Sequence, residues 1–478
     1  MFTLADILQQ SQDAQAQVQL VSTTTPDPVM TFTEAHHDSR QVKPGDLFIA
    51  IKGAKVDGHA FIHKAAQAGA SAALCTHPVE DVPEGFLQIV VPDVVAALHA
   101  TARARTRRQP ETTYIGITGS NGKTSTKEAI AAVLERHAPT LKTLASYNTE
   151  IGYPLTLLRL EPQHRYAVLE MGAQWVGELK MLSGITCPDW SVITNVGASH
   201  LGYFGSQEQV VIAKSELVQV LSPDGIALLN YDDPNVRAMN TKTSARVIYY
   251  GQGEGADVRA SKPGGDQLFG RSFVLSYQDQ EVPVQLHIPG EHGIAIALAA
   301  AAVGCAAGLP LDVIRQALED LKPAKRRGEI KPGPNGSTLI DDSYNANRQS
   351  ILAIAQAMHG STLAPHGKRW AVLGDILELG QYAREEHRTC GAALASLVDY
   401  IVAIGEQARF FIEGAIEAGL PQDHAYFYSA DLENSAEVEA SKRAAADLLK
   451  EQVRGDDLVL IKASLGLGMD TLIKQLSE

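Results

Sequence analysis

The stretch Thr113-Tyr-Ile-Gly-Ile-Thr118-Gly-Ser-Asn-Gly122-Lys-Thr-Ser125 decides the fold of this chain. Its first half is a short apolar run rich in β-branched and aromatic residues and reads as a buried strand. Its second half is a glycine-rich turn, and residues 126–136 beyond it carry a helical pattern. A strand entering such a turn and leaving as a helix makes a phosphate-binding loop. Glycines let backbone N–H groups converge on an anion, and the helix N-terminus adds a positive dipole. The expected nucleotide contacts are Gly119, Ser120, Asn121, Gly122, Lys123, Thr124 and Ser125. Lys123 brings a point charge to the β- and γ-phosphates of ATP, and the Thr124 hydroxyl is placed to hold Mg²⁺. Ile117 stands where the strict consensus has its first glycine, so the loop is a shortened variant. By itself it supports nucleotide binding and nothing narrower. The plain alternative is a glycine turn that caps a helix.

Outward from the loop, strand-like runs recur at residues 166–170, 190–194 and 225–230, with helical patterns between them. That alternation predicts an open, mostly parallel sheet. Residues 247–288 alternate apolar and polar positions around turns and predict an antiparallel subsheet. An alanine-rich helix over 294–307 and a further helix over 311–321 close this region near Pro323. On the N-terminal side the pattern is mixed α/β, with a strand at 46–51, a helix at 61–69, and a basic bridge at 103–110 as the first boundary. From about Ser337 the alternation resumes, with strands at 337–340, 369–373, 400–404 and 457–461, as in a doubly wound domain. The expected fold class is therefore α/β in three domains: a small mixed α/β domain over 1–107, a central phosphate-loop domain with a mostly parallel sheet over 108–323, and a Rossmann-like domain over 324–478.

Composition narrows the partners. The chain has 478 residues, too many for one ordinary core, with a net charge of −14. A nucleic-acid partner would need a basic face, so none is expected. No run of about eighteen apolar residues predicts a membrane span, and the N-terminus lacks the basic head and apolar run of a signal peptide. Four separated cysteines show neither metal-ligand nor disulfide spacing, and the expectation is a reduced, cytoplasmic compartment and a monomer.

Several further motifs stand in order along the chain. They are Asp38-Ser39-Arg40, Pro44-Gly45-Asp46, Asp57-Gly58-His59, Asn148-Thr149-Glu150-Ile151-Gly152, Leu169-Glu170-Met171-Gly172, Asn195-Val196-Gly197-Ala198-Ser199-His200, Ala213-Lys214-Ser215-Glu216 and Asp341-Asp342-Ser343-Tyr344-Asn345-Ala346-Asn347. Together with TGSNGKTSTKE they resemble the Mur ligase family over essentially the whole chain. The resemblance implies an ADP-forming amide ligase that works through an acyl phosphate. The implied substrates are a UDP-N-acetylmuramoyl-tripeptide and D-alanyl-D-alanine. It also implies that the N-terminal domain, with Asp38, Ser39 and Arg40, holds the UDP end, and that Asn148 and Asn347 lie against substrate. Two Mg²⁺ ions are implied, the first on Thr124 and the second on Glu170, His200 and Lys214. Read alone, Lys214 is an ordinary helix-surface lysine and His200 a loop hydrogen-bonder. The resemblance implies instead that Lys214 carries a carbamate. It further implies that Lys123, Lys214, His200 and Arg327 act in catalysis, with Arg327 approaching the γ-phosphate, and that Asp342 contacts the ribose. Asn345 and Asn347 would organise the interdomain linker or position the amine.

Three stretches depart from the family pattern. His292-Gly293-Ile294-Ala295-Ile296 lacks two asparagines, one of which normally helps recognise adenine. Asn148-Thr149 replaces a pair of asparagines. Lys462-Ala463-Ser464-Leu465 ends in leucine where the family has arginine, which removes a guanidinium contact to an anionic group. A Mur-type ligase with another amine acceptor, or a non-catalytic nucleotide-binding scaffold, are the alternatives these departures leave open.

Overall fold

The computed structural model describes residues 1–8, 18–27, 29–53, 56–197 and 201–477. Three large sheets organise these residues, beside a two-stranded pairing of Phe2–Thr3 with Thr31–Phe32. The first has five strands in the order Gln19–Val21, Leu87–Val90, Ala72–Cys75, Leu47–Ile49 and Ala35–His36, parallel except where Gln19–Val21 joins. Fully apolar runs such as Leu47-Phe48-Ile49 have every side chain buried, as parallel strands covered on both faces require.

The second sheet has nine strands. Thr113–Thr118 lies inside it, flanked in parallel by Tyr166–Glu170 and Trp190–Ile193, with Thr140–Lys142, Ile226–Asn230 and Arg246–Gly251 further out. The strands Val258–Asp266, Gly270–Tyr277 and Gln280–Leu286 form the antiparallel subsheet expected from their alternation, at one end of this sheet. Val258–Asp266 pairs in parallel with Arg246–Gly251 at Tyr250↔Val258 and Gly251↔Arg259, and so continues the same sheet. Its inward side chains Val258, Ala260, Phe273, Leu275 and Val284 share one core with the alanine-rich helix Gly290–Ala306. Alanine on that helix lets it lie close against Lys123–Leu134, the helix that leaves the phosphate loop.

The third sheet runs Glu329–Pro332, Thr338–Asp341, Leu458–Lys462, Arg369–Gly374, Tyr400–Ile404 and Ala425–Tyr428, parallel after the first pair. Helices cover both faces, giving two apolar layers.

The basic bridge at 103–110 begins inside a helix: Val94–Arg107 forms one helix with Asp93 as its N-cap. Arg105 is buried, and its Nε donates to the Leu160 carbonyl at 2.9 Å; Tyr114 Oη donates to the Thr106 carbonyl at 3.2 Å. Arg105 therefore fastens the helix that ends the first unit to the second unit.

Candidate active site

Backbone geometry sets the phosphate loop. Gly119 has φ +150°, and a Cβ there would lie 2.0 Å from Thr194 Oγ1; Gly122 has φ +78° at the N-cap of Lys123–Leu134. Neither position accepts a side chain without strain. The end of the neighbouring strand pins the loop from one side. Asn121 N–H donates to Asn195 Oδ1 at 2.9 Å, Thr194 Oγ1 donates to the Asn121 carbonyl at 2.7 Å, and Ser120 N–H donates to the Asn195 carbonyl at 2.9 Å. Lys123, Thr124 and Ser125 open the helix, where backbone N–H groups have no partner inside the helix. Lys123 Nζ arches back to the carbonyls of Gly119 at 2.8 Å and Ser120 at 3.3 Å. Burial lowers its pKa, opposed by Glu170 and helped by Arg327.

Glu170 ends the strand Tyr166–Glu170 and is 1% exposed. Its Oε1 accepts from Asn148 Nδ2 at 2.8 Å, while its buried Oε2 has no partner among the described residues. A buried carboxylate oxygen without a partner carries a large desolvation cost. A hard cation would remove that cost, and the Glu170 carboxylate and Thr124 hydroxyl are the oxygen donors Mg²⁺ prefers. Lys214, on the helix Gln207–Gln219, is not at the surface; it is 1% exposed. Its Nζ donates to the Ala173 carbonyl at 3.2 Å and stands 5.6 Å from the Phe204 ring centre. Burial first, and Lys123 second, lower its pKa to about 7. His200 lies outside the described residues.

Side chains from the third unit close over this floor. Arg327 Nη2 donates to Thr124 Oγ1 at 3.1 Å, and the guanidinium stacks 4.2 Å from the Tyr344 ring centre. Tyr344 Oη donates to Ser146 Oγ at 2.7 Å. Of its neighbours, Lys325 is an exposed linker charge, whereas Arg326 bonds Ser343 Oγ at 3.2 Å and pairs with Asp470 at 2.9 Å. Asp342 Oδ2 takes a 2.5 Å bond from Lys462 Nζ, which also donates to the Asn345 carbonyl. Asn347 caps the helix Arg348–His359 and reaches Asn121.

One cavity of about 710 Å³ collects most of the expected residues, among them the loop from Ser120 to Ser125, Asn148, Glu170, Arg327, Asp342, Asn345 and Asn347. Lys214 is not among its lining residues but donates to the carbonyl of Ala173, which is. Asp38, Ser39 and Arg40 stand apart in the first unit. Arg40 is largely exposed, and its hydrogen bonds hold the Asp38 carboxyl down to about 2. The next residue, Gln41, accepts a 3.4 Å bond from Tyr147 Oη, which links this segment to the loop bearing Asn148.

Two participants carry no role assigned from the sequence. Lys127, inside the TGSNGKTSTKE motif, is buried and donates to the carbonyls of Thr143 at 2.7 Å and Ala145 at 2.8 Å, fixing the segment that carries Ser146 and Asn148. Gln349 bonds the phosphate loop from the third unit. Long-range contacts of this kind leave no local pattern.

Part of the cavity wall is apolar, built by Ile288, Ala295, Ile296, Leu321 and Pro323, with His292 also lining it. A Cβ at Gly293 would lie 2.6 Å from the Ile288 carbonyl, so this backbone has no room for an asparagine there. Leu465, half exposed, and Leu377 line the same cavity.

The geometry is matched by relatives. Family models described as "Mur ligase family, catalytic domain", "Mur ligase middle domain" and "Mur ligase, glutamate ligase domain" match residues 31–106, 117–304 and 326–465. The chain belongs to the Mur ligase family. Among curated Mur ligases, the UDP-N-acetylmuramoyl-tripeptide–D-alanyl-D-alanine ligase of Mycobacterium tuberculosis is 36% identical over 462 residues, covering 90% of this chain and 89% of its own. That of Bacillus subtilis is 33% identical over 467 residues, covering 96% and 97%. Among solved Mur ligases, MurF from Acinetobacter baumannii superposes with a TM-score of 0.84 at 30% identity over 100% of this chain and 98% of that one. MurF ligase from Thermotoga maritima in complex with ADP gives 0.78 at 25% identity, over 95% and 98%.

Proposed function

We propose that this chain joins D-alanyl-D-alanine to a UDP-N-acetylmuramoyl-tripeptide, consuming ATP and releasing ADP and phosphate. The observation that carries the reading is the meeting of the phosphate loop, the half-satisfied Glu170 and Arg327 in one cavity. In the first step a tripeptide carboxylate oxygen attacks the γ-phosphorus, the bond to the β-bridging oxygen breaks, and ADP and an acyl phosphate result. In the second the dipeptide amine attacks the acyl carbon, the carbon–oxygen bond to phosphate breaks, and the amine gives up a proton. Lys123, the amides of Lys123 to Ser125 and Arg327 meet the charge that gathers on the transferring phosphoryl group. Mg²⁺ held by Thr124, and a second ion held by Glu170, His200 and Lys214, would neutralise phosphate charge. Closure of the third unit keeps water from the acyl phosphate.

We assign residues 1–107 to the UDP end, 108–323 to ATP, and 324–478 to closure and the acceptor; the three large sheets, one in each span, support that division. Asp342 and Asn345 serve the ribose end, and Asn148 orients Glu170 and the substrate. Lys214 is read as a carbamate: its neutral amine adds to CO₂, an N–C bond forms, and a proton is released. Burial and the lowered pKa support this, since only the neutral amine reacts. Four unpaired cysteines accord with a reduced, cytoplasmic site of action.

The deciding measurement is ADP release with UDP-N-acetylmuramoyl-tripeptide, with and without D-alanyl-D-alanine, and with amide product followed by mass. Dipeptide-dependent ADP and amide are expected. ADP release indifferent to the dipeptide would remove the acceptor assignment. Leu465 is the one observation favouring a different acceptor, and parallel assays with other amines decide between the two.

A further inference from the structure

Asn121 is held on both sides. Its backbone is fixed within the central unit by Asn195 Oδ1 at 2.9 Å and Thr194 Oγ1 at 2.7 Å. Its carboxamide turns the other way, and both ends engage the start of the helix Arg348–His359. Nδ2 donates to Gln349 Oε1 at 2.9 Å, and Oδ1 accepts from Asn347 Nδ2 at 2.5 Å. Asn347 cannot swing freely, because its own Oδ1 accepts the Ser350 N–H at 2.8 Å as the helix N-cap. Gln349 Oε1 also lies 2.3 Å from where a Cβ at Gly197 would stand, so glycine at 197 leaves room for it. The third unit therefore touches the loop through a matched donor and acceptor.

We propose that Gln349, acting with Asn347, is a positioning residue that registers the third unit on the phosphate loop and makes closure conditional on the shape of that loop. The proposal rests on the ligase reading only for what closure achieves. In this register Arg327 reaches Thr124 and Tyr344 reaches Ser146, so one helix end sets the approach of the groups that face the phosphates. The contact is neutral and Gln349 is exposed. A hydrogen bond of that kind shifts an equilibrium by about three- to tenfold, enough to favour closure and weak enough to release at each turnover.

Dyes on the exposed Cys187 and on a Glu433→Cys variant report the separation of the central and third units in the full-length chain. With a non-hydrolysable ATP analogue and Mg²⁺, Gln349→Ala is expected to lower the closed-to-open ratio by about three- to tenfold. In turnover it should raise the ADP released per amide formed and lower kcat more than it raises KM for ATP. On an Asn121→Ala background the same substitution should add nothing, since its partner is already gone. An unchanged ratio, or effects that add fully on that background, would overturn the proposal. If the wild-type chain makes no amide with the dipeptide, the acceptor reading falls while the dye measurement still decides the role of Gln349.

Discussion

At 1% exposure, with a carbonyl as its hydrogen-bond acceptor and its pKa lowered to about 7, the Lys214 amine is poised between charged and neutral forms. Unfolded, it would hold its proton to about pH 10.4. Between those values the unfolded chain binds the extra proton, so stability rises with pH across the window, and below about 7 the buried charge persists. Lys214→Met should thus melt no lower than the unmodified chain at pH 6 and yet be inactive. Lys214→Ala should regain activity with bicarbonate or short carboxylic acids; full activity without them would end the carbamate reading. Lys123 behaves differently, since its bonds stay within its own loop. Lys123→Ala should lose ATP turnover while keeping its melting temperature, as calorimetry and ADP release would show.

Among elements, the loop and the helix from Arg348 to His359 are the most exposed to single changes. Gly119→Ala meets Thr194 Oγ1 at 2.0 Å and a backbone φ that L-residues rarely adopt. The strain alone is worth about 1–3 kcal/mol, to be read as a lower melting temperature together with weaker nucleotide binding. Asn347 has two separable duties. Asn347→Ala removes the N-cap at a cost of about 1 kcal/mol along with the bond to Asn121. Asn347→Asp keeps the capping oxygen but sets a carboxylate against Asn121 Oδ1, so stability should hold while kcat falls. Equal losses of stability in both variants would leave the cap as the whole role. The helix Val94–Arg107 was legible as a basic segment but not as a helix end, because its interior charges are satisfied by carbonyls far away in sequence.

For the whole molecule, activity depends on the second and third units meeting at one cavity, and Arg327 is the sharpest probe of that. Arg327→Ala should lower kcat by at least about a hundredfold with little change in the melting temperature, as stopped assays and thermal denaturation would show. Arg326→Ala, which breaks contacts to Ser343 and Asp470, should instead act on stability. The strand, loop and helix around Lys123 and the three-unit α/β fold were legible, and the motif residues Glu170, Arg327 and Asp342 line one cavity. Local periodicity, glycine placement and ordered motifs are properties of the linear chain. The tertiary structure alone decided the rest: the continuous nine-stranded sheet, the burial of Lys214, the orphaned oxygen of Glu170, the carbonyl that excludes a side chain at 293, and the grip of Gln349 on Asn121. Each of these depends on which atoms from distant segments end up within a few ångströms, because desolvation and hydrogen bonding act over that range and spacing along the chain does not encode it.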